Sequence, residues 1–140
     1  MADPSLAAIL ERGHRHLDEL FGRFLAAAAN ADPAAARDAI VAFDDELSRH
    51  TEIEETRVIP VPEGHKLAAP LAETEAARLF RELRLEHVQV REVSAMIRRL
   101  LEEKSDLEGA RRLAGNLARR WDAHTTREER ELFPCLAPRF

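Results

Sequence analysis

The 140-residue chain predicts an all-α fold: an antiparallel up-down-up-down four-helix bundle, one domain over residues 1–140. Three observations lead there. Strand signals are poor, with no Tyr, only 5 Gly and short β-branched runs, while Ala, Leu, Glu and Arg, all good helix formers, dominate. Proline, asparagine and aspartate divide the chain into four long segments. Each segment carries apolar residues at three- and four-residue spacing, the pattern by which an amphipathic helix buries one face.

The elements follow in order. Asp3-Pro4 reads as an N-cap with proline at the first helical position, where its missing N–H does no harm. The first helix then runs to about Asn30, with Leu6, Leu10, Leu17, Phe21 and Phe24 on one face. Asp32-Pro33 repeats the start signal. The second helix runs to about Ile59, before Pro60, with Ile40, Phe43, Leu47 and Val58 inward. Residues 60–70, PVPEGHKLAAP, form the one clear loop. A third helix from near Pro70 to Lys104 presents Leu79, Leu83, Val90, Ile97 and Leu101. Ser105 and Glu108 have capping-box spacing. They open a fourth helix that ends before Pro134 and carries Leu113, Leu117, Trp121 and Leu132. Two very short connections make neighbouring helices antiparallel.

Composition narrows the function. An apolar share of 45% with 34% charged residues is a globular profile, not a disordered one. A net charge of −5 argues against nucleic acid, and the arginines at 111, 112, 119 and 120 read as a solvated face. The single cysteine, Cys135, excludes an intrachain disulfide and suits a reducing compartment. MADPSLAAILERGH lacks the basic start and apolar run of a signal peptide, and no stretch is apolar enough to span a membrane. A cytoplasmic protein without membrane or nucleic-acid partners is expected.

One phrase occurs twice: HTEIEETRVIP from His50 and HTTREERELFP from His124. In both, a glutamate follows the histidine by four, so His50 and Glu54 share a helix face, as do His124 and Glu128. These residues interrupt the apolar stripes, and so do His14 and His87. Measured from the two tight turns at about 1.5 Å per residue, the four histidines fall near one level, with the glutamates one turn further on. Facing carboxylates in an apolar interior cost on the order of several kcal/mol each unless something pairs with them. No arginine falls beside them, save Arg57 or Arg91 at the edge. A cation resolves the conflict. Imidazole and carboxylate without thiolate suit iron, manganese or zinc, and six ligands exceed one tetrahedral zinc but serve two octahedral ions.

GHRHLDELF around His14, HTEIEE, LEHVQV around His87 and HTTREE together resemble the hemerythrin-like domains, the HHE cation-binding family. The resemblance covers nearly the whole chain. It implies two iron ions bridged by oxo or hydroxo and by both glutamates, with ligands His14, His50, Glu54, His87, His124 and Glu128. Zinc or manganese are the alternatives. It also implies a small partner, dioxygen, nitric oxide or peroxide, at an open position. Oxygen carriers of this kind place a fifth histidine on the third helix. Here Leu83 and Arg91 flank His87 at four residues. That departure favours chemistry on peroxide or nitric oxide over oxygen transport, with an iron- or oxygen-responsive sensor as the alternative.

Other side chains divide by spacing. His65, in the loop, is a candidate extra ligand. His16 points away from His14 and reads as surface. Asp18 could hold the second nitrogen of the His14 ring. Glu55 and Glu129 cover the rim or form surface ion pairs, and Cys135 has no role. Ferritin-like bundles need two Glu-x-x-His pairs; only Glu11 and His14 fit.

Overall fold

A computed structural model describes residues 5–58 and 73–136. Four α-helices account for most of them: α1 (Leu6–Ala29), α2 (Pro33–Ile53), α3 (Glu73–Lys104) and α4 (Leu107–Arg127). Among the described residues there is no strand. The four helices form the expected bundle, with α1 and α3 each lying between α2 and α4. Cross-helix pairs give the antiparallel register. Asp18 meets Trp121 while His14 meets Glu128, and Asp44 meets Ser94 while Glu54 meets His87.

The helix starts are tied by side chains, though not always the expected ones. Ser5 caps α1 by accepting from the Ala8 N–H at 3.2 Å; Asp3 and Pro4 lie outside the described residues. Asp32 caps α2 with Pro33 beside it, as expected. The cap of α4 is Asp106, whose Oδ1 accepts from Gly109 N–H at 2.8 Å. Ser105 has a φ of 48°, a left-handed conformation in which an N-cap cannot sit. The α1–α2 turn is a Schellman motif: Asp32 N–H returns to Ala27 C=O and Ala31 N–H to Ala28 C=O. It places Ala31 at a φ of 53°, a position glycine would fill without strain.

Two helix ends depart from the expectation. After Ile53 the hydrogen bonding widens to a π-turn over Glu54–Val58, and after Arg127 to another over Glu128–Leu132. Phe133 N–H donates to Glu128 C=O, five residues back. A short 3-10 turn, Phe133–Leu136, then carries the chain through Pro134, where the sequence predicted a stop. The 60–70 loop, His65 and the start of the third helix near Pro70 lie outside the described residues.

The apolar stripes are buried as predicted, except that Leu6 and Leu113 are half-buried. Among the described residues they form two clusters and not one continuous core. A large cluster, including Leu17, Phe24, Ile40, Phe43, Ile97 and Leu117, fills the end with the tight turns. A smaller one, Leu10, Val58, Leu79, Leu83, Leu132 and Phe133, fills the other end. The polar layer lies between them.

Candidate metal centre

All six residues singled out by spacing meet in that layer. His14 comes from α1, His50 from the last turn of α2, His87 from α3 and His124 from α4, while Glu54 and Glu128 open the two π-turns. None is more than 6% exposed, and both glutamates are at 0%. The Nε2 atoms of all four rings point at the carboxylates. Glu54 Oε1 lies 2.8 Å from His50 and 3.8 Å from His14, and its Oε2 lies 2.8 Å from His87. Glu128 Oε1 lies 2.9 Å from His14 and 3.2 Å from His124, with Oε2 3.6 Å from His87. Arg57 and Arg91 are exposed and neither pairs with these carboxylates.

The donors fall into two groups of metal-binding geometry: His14, His50, Glu54 and Glu128, then Glu54, His87, His124 and Glu128. Within each group the donor atoms lie within 4.8 Å of one another. Proximity has not produced a satisfied hydrogen-bond network. His50 Nε2, Glu54 Oε1, His124 Nε2 and Glu128 Oε2 are buried without a properly directed partner. Each such atom costs about 1–3 kcal/mol. Lone pairs that converge without satisfying one another are what a bound cation would use. Nitrogen and oxygen donors without sulfur match a borderline or hard transition metal, so the residues present fit the group.

Charge tells the same story from the metal-free side. Burial pushes the His14 imidazolium down, but Glu128 and Glu54 outweigh it and raise the pKa to about 10. For His87 the same balance ends at about 9, and His124 is also raised. Burial drives Glu54 upward, yet the surrounding donors hold it well below the usual carboxylate range. Glu128 is lowered against the same penalty. Without a metal, then, the two buried acids favour the protonated forms of His14, His87 and His124.

The outward Nδ1 atoms reveal residues that spacing missed. His124 Nδ1 lies 2.8 Å from Glu86 Oε1, and Glu86 in turn accepts from Arg127 Nη1 at 2.7 Å. Arg127 also pairs with Glu82 and Glu131. His14 Nδ1 meets Glu129 at 3.3 Å, not Asp18. Asp18 accepts instead from the Trp121 indole N–H at 2.7 Å. Glu55 lies 3.8 Å from His87 Nδ1. Thus Glu55 and Glu129, each directly after the buried glutamate of its phrase, face the histidine of an adjacent helix rather than solvent alone. His16 is exposed, as expected. Cys135 is buried, its thiol 3.2 Å from the Glu131 carbonyl oxygen, and burial raises its pKa.

Two backbone features shape the layer. Gly13 has no side chain because His50 packs there: a Cβ would fall 2.8 Å from His50 Nδ1. The π-turn after Glu128 does a second job. In a continued α-helix, Phe133 would point about 140° away from Glu128. The wider turn swings it back, so that its ring stacks on His14 at 5.3 Å between centroids. Trp121 also meets His14 edge-on, at 5.5 Å.

A bundle of this order with this layer defines a class of helical metal-binding domain. The chain belongs to the hemerythrin HHE cation-binding domain family, whose family model matches residues 5–136. No curated protein and no solved structure matches it. No helix among the described residues is long and apolar enough to cross a membrane.

Proposed function

We propose that the chain is a non-haem di-iron protein that binds dioxygen, nitric oxide or peroxide, with activity on peroxide or nitric oxide as its chemistry. His14 and His50 hold one ion, His87 and His124 the other, and Glu54 and Glu128 serve both. The observation that carries this reading is that the two buried four-donor groups share the same pair of glutamates. Two separate mononuclear sites would not need to share. Iron, when bound, supplies electrons and a Lewis-acid position for a small ligand.

The remaining work falls to the chain. Each of the four Nε2 atoms must be free of a proton to act as a ligand, while Glu86 and Glu129 accept from the Nδ1–H of His124 and His14 and so fix those rings. Leu10, Leu83, Val58, Leu132 and Phe133 keep one side of the layer dry, which suits a small uncharged ligand. Oxygen carriers place another imidazole four residues from the third-helix histidine, and here those positions are Leu83, fully buried, and Arg91, exposed, so the protein offers one donor fewer. This favours reaction with peroxide or nitric oxide over reversible oxygen carriage.

Metal analysis of the purified chain should find two ions, one per donor group. If they are iron, the aerobic protein should absorb in the near ultraviolet and the spectrum should change on adding hydrogen peroxide. A silent spectrum with two bound ions would point to zinc. Oxygen release from peroxide separates turnover from binding or sensing alone. A fully folded chain that takes up no metal sinks the proposal.

A further inference from the structure

The two halves of the site follow one plan, broken at one pair of positions. His14 and His87 are 73 residues apart, and so are the residues immediately before them, Gly13 and Glu86. Each of these neighbours faces the Nδ1 side of the histidine from the repeated phrase. Glu86 meets His124 Nδ1 at 2.8 Å and is itself held by Arg127, which Glu82 and Glu131 hold in turn. Gly13 meets His50 Nδ1 with bare backbone, and among the described residues no carboxylate is hydrogen-bonded to that nitrogen. The other outer contacts narrow the difference without closing it: Glu129 reaches His14 Nδ1 at a longer 3.3 Å and is 47% exposed, while in the other half His87 Nδ1 is buried without a hydrogen-bond partner, Glu55 standing 3.8 Å away.

A carboxylate on the far nitrogen of a metal-ligating histidine fixes its tautomer and ring orientation. Losing such a partner typically weakens metal binding by about 10–100-fold. Resting on the di-metal reading, we infer that the two positions are unequal. The His87/His124 position binds its ion more tightly and fills first, and Glu86, anchored by Arg127, is the positioning residue responsible. The His14/His50 position, backed by Gly13, fills second and releases first.

Calorimetric titration of the metal-free chain with ferrous iron under anaerobic conditions tests this. The wild type should show two steps separated by at least about tenfold in affinity. His50→Ala should keep the tighter step and lose the weaker one; His124→Ala should do the reverse. Glu86→Gln should weaken the tighter step about tenfold and leave the weaker one in place, so that the two merge. A residue with a merely structural role would move both steps or neither. The inference is overturned by one unresolved two-ion transition in the wild type, or by equal affinities in His50→Ala and His124→Ala. It is also overturned by a Glu86→Gln chain in which both steps shift alike or neither shifts. Should Glu86→Gln not fold, the comparison of the two histidine variants, with Glu86 intact, decides alone. A wild-type chain that binds no ion at all refutes the di-metal reading beneath it.

Discussion

Replacing Glu54 by alanine removes a fully buried carboxylate whose two oxygens face different halves of the site. Oε1 lies 2.8 Å from His50 Nε2 and Oε2 lies 2.8 Å from His87 Nε2. Both donor groups use it, so both drop from four donors to three. The expected metal content therefore falls from two ions to none, whereas His50→Ala, which touches one group, keeps one. Stability falls as well. In the metal-free chain, removing one partner of a buried ion pair costs about 3–5 kcal/mol. The imidazoles can shed their protons in response, so the lower end, about 3 kcal/mol, is expected; for a domain of this size that is a Tm drop of roughly 10 °C. Added iron contributes a further difference. At free metal a thousand times Kd, binding stabilises the wild type by about 4 kcal/mol for each ion, and the variant gains nothing. Metal analysis and thermal unfolding by circular dichroism, with and without iron, read both quantities. A Glu54→Ala chain that retains both ions would show that the glutamate is not shared, and the reasoning would fail.

Three more outcomes are expected. Ala31→Gly should raise the urea midpoint by the equivalent of about 1 kcal/mol, since glycine relieves the left-handed strain at φ 53°; no change would mean the Schellman turn is not strained. Gly13→Ala should divide two readouts: helix propensity favours alanine by about 1 kcal/mol, while the Cβ at 2.8 Å displaces His50 and lowers metal affinity. Equal metal affinity would show that the ring has room. The pH dependence should invert between the two states. His14 and His87, raised from 6.5 to about 10 and about 9, stabilise the metal-free fold fully below pH 6.5 and lose that contribution as pH rises through 9 to 10. Glu54, lowered from 4.5, contributes above that pH and loses its effect as pH falls through its depressed value. Metal-free Tm should thus peak between about pH 4.5 and 6.5, whereas metal affinity should rise with pH because the ligating nitrogens must give up protons. A metal-free Tm that stays level from pH 6.5 to 9 contradicts this balance.

Much of the fold and of the layer was legible because both rest on helical periodicity. Leu10, His14, Leu17 and Phe24 repeat at three, four or seven residues, and matched distances from two tight turns bring four histidines to one level. What failed depends on information that periodicity does not hold. Ser5 and Asp106 cap their helices, where the sequence pointed to Asp3 and Ser105; at the second of these a backbone angle makes the choice, and composition cannot report it. The π-turns were invisible because an α-helical count was assumed through Glu54 and Glu128. Asp18 was placed near His14 by its four-residue spacing, but its partner, Trp121, comes from another helix. Glu86 lay in plain view within LEHVQV, and only the 73-residue offset that pairs it with Gly13 marks it as different.

The divided core bears on how the bundle comes apart. Among the described residues, two apolar clusters of unequal size lie on either side of the layer of imidazoles and acids. Ions in that layer would clasp the smaller end to the larger, and their departure leaves the Leu10, Val58, Leu79 and Leu83 end to open by itself while the turn end stays shut. Metal release then needs no global unfolding. It should appear as faster amide hydrogen exchange around Leu79 and Leu83 than around Ile97 and Leu117, with the contrast fading once the site is loaded.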